Sequence, residues 1–221
     1  MGGGDTESLT VDTNKEKRWQ GTNSSTTEFV RYYKQFGSID KVTEATIEIT
    51  AQYPENGWSG FVFGLEKNAK DKTKSDFYVL GIKTYNTVPY YYLSKFEGVN
   101  PDEVAASKAT TLPGETEIIQ SAPIPEAEKI VASKSPLKVC VKFVLEEGQN
   151  GTKQYKLMAG PRAETLHDVG KPIPTAAAGC GIGAYGQLTK AKEEGTAIVS
   201  DTTIKVLSSK PTNLLAAEDA E

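Results

Sequence analysis

The chain has 221 residues, 38% hydrophobic and 24% charged, with a net charge of −4 and an isoelectric point near 5.3. That balance supports a packed core and excludes wholesale disorder. It offers no basic block for a nucleic-acid groove and no apolar run of about 18 residues for a transmembrane segment.

In chain order, residues 1–28 are polar and read as a flexible N-terminal tether with Trp19 as its one large apolar anchor. Met1-Gly2-Gly3-Gly4-Asp5 shows no export signal. Either Met1 is an ordinary start, or it stands where a bacterial lipoprotein would carry Cys after leader removal. The second alternative gives an exported protein, periplasmic or on the outer surface. Phe29-Val30-Arg31-Tyr32-Tyr33 is β-rich. Residues 42–53 alternate, with Ala45, Ile47, Ile49 and Ala51 on one face and Glu44, Thr46, Glu48 and Thr50 on the other. A turn at 54–57 leads into a strand at 59–66, and a lysine-rich loop at 67–74 leads into another at 76–84. Residues 88–97 form a further strand carrying Tyr90, Tyr91 and Tyr92. The stretch 98–136 is irregular, with a short strand at 116–120, and is the place for an excursion or lid. Strands then follow at 137–145, at 152–159 after an Asn150-Gly151 hairpin turn, at 180–188 and at 196–207. An acidic tail at 208–221 reads as disordered. About ten strands with almost no helix predict an all-β, two-sheet antiparallel sandwich over 29–207.

Three stretches resemble the concanavalin A-like lectin/glucanase superfamily, which includes laminin G-like and jelly-roll domains. They are Gly60-Phe61-Val62-Phe63-Gly64; Asp76-Phe77-Tyr78-Val79-Leu80-Gly81-Ile82 followed by Tyr91-Tyr92-Leu93-Ser94-Lys95; and Gly181-Ile182-Gly183-Ala184-Tyr185-Gly186 followed by Asp201-Thr202-Thr203-Ile204-Lys205-Val206. Ser200 stands where relatives often have Phe before the closing strand. The resemblance implies a curved sheet whose concave face holds carbohydrate. The glucanase Glu-x-Asp-x-x-Glu strand is missing, so that catalytic carry-over fails. Calcium is common in the superfamily, but no Asp-rich loop offers to bind it, and no cofactor is assigned.

Several motifs have plainer readings. Gly181-x-Gly183-x-x-Gly186 matches a dinucleotide fingerprint by its letters but lacks the preceding strand and following helix. It reads as glycines easing strand packing. His167, the one histidine, and the distant Cys140 and Cys180 give no zinc-ligand spacing. The cysteines are a disulfide candidate if the protein is exported, although Cys140 shares a face with Lys138 and Lys142 and could instead be an exposed thiol. His167-Asp168 reads as a solvated loop pair, not part of a triad. Glu44 and Glu48 are about 13 Å apart along their strand, beyond the roughly 9.5 Å of paired glycosidase carboxylates.

The best functional lead is aromatic. Trp58, Tyr85, Tyr90 and Tyr92, with Glu48 as a polar partner, are candidate ligand-binding residues, because sugar rings stack on aromatic faces while polar neighbours bind hydroxyls. The first expectation is a noncatalytic module on a bacterial surface protein, binding glycan or a protein partner on a concave sheet. The second is a glycoside hydrolase-like enzyme using Glu48. The third is a structural or adhesin subunit.

Overall fold

Period-two patterning leaves each sheet one apolar face to cover, and with almost no helix to cover it two sheets close on each other. The computed structural model describes residues 16–36, 42–52, 57–85, 88–109, 112, 114–124 and 136–211. Its strands are β1 (Glu16–Asn23), β2 (Val30–Gln35), β3 (Val42–Gln52), β4 (Gly57–Lys67), β5 (Ser75–Tyr85), β6 (Val88–Val99), β7 (Glu115–Pro123), β8 (Leu137–Glu147), β9 (Lys153–Gly160), β10 (His167–Asp168), β11 (Ile173–Thr175), β12 (Gly181–Leu188) and β13 (Ile198–Pro211). One sheet runs β1-β13-β3-β8-β9-β10, with β11 also on β9. The other runs β2-β12-β4-β5-β6-β7. The strand pairings are antiparallel, so the all-β sandwich expected from the sequence is what forms.

The core lies between the sheets. Ile47 and Ile49 of β3 and Val139, Val141 and Phe143 of β8 meet Phe61 and Phe63 of β4 and Leu80 of β5, all fully buried. Each such side chain contributes about 1.5–3 kcal/mol by leaving water. Phe63 stacks between Tyr78 and Phe143, with centroids at 5.2 and 5.3 Å. Ser59 and Thr202 share a buried hydroxyl hydrogen bond of 2.8 Å across the two sheets. At one open side of the sandwich Trp19 of β1 stacks on Tyr32 of β2, with centroids 4.6 Å apart. Tyr32 sits over Gly186, where a Cβ would lie 1.9 Å from its ring. That packing demand explains one glycine of the letter-matched fingerprint. Gly183 is another, since a Cβ there would meet the Lys34 carbonyl oxygen at 2.5 Å. Their strand, β12, is a central strand between β2 and β4.

Three expectations need correction. The sandwich begins earlier than residue 29, because Glu16–Asn23 pairs along β13. It also ends later than 207, since β13 runs to Pro211. Neither cysteine is in a disulfide, and both are buried. Cys180 belongs to the intersheet core, while Cys140 pairs in register with Glu48 on the outer face of the seven-stranded sheet. A sheet therefore separates the two thiols, and no disulfide joins them. The irregular stretch also contains a short helix, α1 (Pro101–Ala106), capped by the Asn100 side chain, which accepts from the Asp102 N–H at 3.0 Å, with Pro101 opening its first turn. The tether before Glu16, the turn at 54–56 and the tail after Pro211 lie outside the described residues.

Candidate functional site

Both sheets have an outer face, and the two differ in chemistry. On the seven-stranded sheet the outer face is a ladder of ion pairs. Glu44 meets Lys142 at 2.7 Å and Lys210 at 2.6 Å; Glu48 meets Lys138 at 2.9 Å; Arg18 meets Asp201 at 2.7 Å. These are cross-strand partners in register or nearly so, the sheet equivalent of a wet, paired surface. Near it, Glu48, Lys138, Cys140, Arg162, Glu164 and Leu207 line a shallow hollow of about 420 Å³. Burial, and next the Glu48 charge, push the Cys140 thiol up to about 11. It is therefore no nucleophile at neutral pH.

The six-stranded sheet is apolar on its outer face. Trp58, Val62, Leu65, Phe77, Val79, Tyr92, Phe96 and Tyr185 form a second cluster there, joined by Val104 and Leu112. The last two come from the excursion after β6, so α1 and the residues after it act as a strap over this face. Arg31, only 8% exposed, fastens the strap. Its guanidinium donates to the carbonyl oxygens of Ser107 and Ala109, both at 2.6 Å, and to Gln187 Oε1 at 2.9 Å. Phe29 N–H donates to the Lys108 carbonyl at 3.2 Å, and Lys108 pairs with Glu28 at 3.0 Å.

Beyond the strap a single row of residues crosses five strands. Arg31 pairs with Gln187, Gln187 with Trp58, Trp58 with Lys83, and Lys83 with Tyr90. Directly opposite residues on neighbouring strands share a face, so these side chains form one strip. In the next row Tyr185, Gly60, Gly81 and Tyr92 are partners in turn. The two glycines mark where β4 and β5 run too close for a Cβ: one on Gly81 would lie 2.2 Å from the Ser59 carbonyl oxygen. The Trp58 ring makes edge contacts with Tyr92 at 5.0 Å and Tyr185 at 5.1 Å, the aromatics flanking that glycine pair. Trp58 is consequently 3% exposed and Tyr92 5%. They are the floor of the strip, and neither presents an open face for stacking in this conformation. Tyr90, Lys83 and Gln187 are half-buried and form its accessible surface. The Lys83 ammonium sits 4.3 Å over the Tyr92 ring. The Trp58 indole N–H is buried with no acceptor among the described residues.

The structure thus brings together Trp58, Tyr90 and Tyr92 but not Glu48, which lies on the outer face of the other sheet and is engaged by Lys138. The side chain of Tyr85 lies outside what is described. Tyr91 faces the intersheet core, opposite its neighbours, as alternation requires. His167 and Asp168 are exposed in β10, where Asp168 pairs with Lys156 at 3.2 Å. Among the described residues no group of three His, Cys, Asp or Glu side chains converges to hold a metal, and no helix is long and apolar enough to cross a membrane. Lys83, Gln187, Arg31 and Tyr185 escape a reading of the sequence; the one signal for them is that Lys83 interrupts an otherwise apolar alternation on β5.

No protein-family model and no curated protein matches the sequence. Solved structures similar to this one include an alginate lyase, at 11% identity and TM-score 0.39, covering 85% of this chain and 78% of that one. A xylan β-1,4-xylosidase from Bacillus halodurans C-125 has 16% identity and TM-score 0.41, over 86% of this chain but 32% of that larger one. The exoplasmic/lumenal domain of VIP36, in a Ca2+/Man3GlcNAc-bound form, has 9% identity and TM-score 0.40, over 87% and 84%. Overlaps this loose do not bear on what this chain binds.

Proposed function

We propose that this protein is a noncatalytic binding module that holds a glycan on the outer face of its six-stranded sheet, along the strip of Gln187, Trp58, Lys83 and Tyr90. The observation that carries this reading is the unpartnered, buried Trp58 N–H at the floor of a strip with half-exposed polar and aromatic neighbours. An unsatisfied buried donor costs about 1–3 kcal/mol, and an oxygen of a bound saccharide would remove that cost. Tyr90 supplies an amphipathic ring, and Gln187 both donates and accepts, the mix that sugar sites combine. A hydrolytic role for Glu48 is disfavoured, because its carboxylate is held by Lys138 on the opposite side of the sandwich.

The test is a glycan array followed by calorimetry on the strongest hits. Tyr90→Ala should weaken binding about tenfold with the fold retained. If the wild type binds no glycan at all, the reading fails. On this reading the ligand is met outside the cytoplasm, which fractionation of the native cells checks: a purely cytosolic protein would contradict it.

A further inference from the structure

Lys83 differs from the lysines that ladder the outer face of the seven-stranded sheet. On the seven-stranded sheet Lys138, Lys142 and Lys210 each meet a glutamate. Lys83 is flanked in register by Trp58 and Tyr90 instead, and among the described residues no carboxylate lies within ion-pair distance of it. Its ammonium rests on the Tyr92 ring. The other cation of the same row, Arg31, is committed to two carbonyls and Gln187. The strip therefore carries one uncommitted positive charge, on a flexible stem, beside one uncommitted indole donor.

We infer that the strip selects acidic saccharides, with Lys83 reading a uronate carboxylate; this rests on the glycan reading above and specifies its ligand class. A cation–π contact is weaker than a charge-assisted hydrogen bond to a carboxylate, so such a ligand can draw the ammonium away from Tyr92 and uncover that ring. Lys83 and Trp58 are direct cross-strand partners, about 5 Å apart at Cβ. With Lys83 drawn aside and Trp58 shifted from its buried position, one uronate ring can offer its carboxylate to Lys83 and a hydroxyl oxygen to the Trp58 N–H. Tyr90, the partner of Lys83 on the far side, is placed to flank the same ring. A neutral sugar would satisfy the indole but leave the ammonium where it is.

The test is calorimetry with matched oligosaccharides of equal length: galactose against galacturonate, mannose against mannuronate, and glucose against glucuronate. The wild type should bind at least one acidic member about tenfold more tightly than its neutral counterpart, and the preference should shrink as salt rises. Lys83→Met should abolish the preference, and Lys83→Arg should keep it. Equal binding of acidic and neutral members in every pair overturns the inference and leaves the glycan reading standing. So does a preference that survives in Lys83→Met. Should Lys83→Met not fold, a wild-type preference indifferent to salt overturns it equally. Failure of every saccharide to bind overturns the glycan reading itself, and the inference with it.

Discussion

Trp58 shows how one atom can separate folding from binding. Phe at this position keeps an aromatic ring against Tyr92 and Tyr185 but removes the donor that has no acceptor. Trp58→Phe loses no hydrogen bond, so it is expected to cost only the packing of the missing ring, about 1–2 kcal/mol, while weakening glycan binding about tenfold. Urea denaturation and calorimetry on the same preparation check both halves. Weakened binding with no greater loss of stability than the missing ring volume accounts for is the outcome expected; unchanged binding would refute the role of the N–H. Cys140 gives a second residue-scale prediction. With its thiol raised to about 11, chiefly by burial, the thiolate fraction at pH 8 is about one in a thousand, so iodoacetamide should alkylate it about a hundredfold more slowly than a free cysteine. Both thiols should label promptly in denaturant without reductant. A cysteine that resists labelling there would mean that it is bridged.

Among the elements, the strap is the one built least like the rest. Its apolar anchors Val104 and Leu112 are few, and Arg31 binds its backbone through a cation that burial disfavours. Hydrogen bonds to charged groups are worth about 1.5–3 kcal/mol each, so Arg31→Met should loosen 101–109 selectively. The expected readout is faster proteolysis and faster amide exchange in that segment, with β3 and β8 unchanged; uniform destabilisation of the core would refute the selectivity. The contrast between strap and sheets also explains what could be read from the sequence. Strand positions and faces were legible because Ile47, Ile49, Val139 and Val141 alternate with charged residues, and alternation is a local property. Which sheet a face belongs to is not local. Glu48 and Tyr92 both lie on outer faces, and only the insertion of β12 between β2 and β4, and of β3 between β13 and β8, sets them on opposite sides. The row from Arg31 to Tyr90 is assembled the same way, from segments far apart in the chain. The place of the strap was legible as an irregular excursion, but the face it covers was not, because two anchors, Val104 and Leu112, make no period.

At the scale of the whole molecule, one outer face is electrostatic and the other apolar, and pH acts on the first. Burial pushes the Glu44 carboxyl up, but its contacts with Lys142 and Lys210 outweigh that and hold it below its ordinary value. The Arg18 guanidinium, bonded to Asp201, lowers that carboxyl too. Groups depressed in the folded state stabilise it above their unfolded values of about 4 and lose that contribution as pH falls through the folded ones. The urea midpoint should therefore be flat from pH 7 to about 5 and decline below about 4, with a shallower decline in Glu44→Gln. An equally steep decline in that variant would place the acid sensitivity elsewhere. The N-terminal strand has a consequence for any shortened form of this protein. β13 is fourteen residues long and gains its second neighbour from the eight residues of β1. A chain started at Phe29 would leave a long, bare run of main-chain donors and acceptors beside β13, a template for a second copy. Size-exclusion chromatography should show that truncated form growing into multimers while the longer chain stays a monomer, so Glu16–Asn23 would serve as a built-in guard against polymerisation.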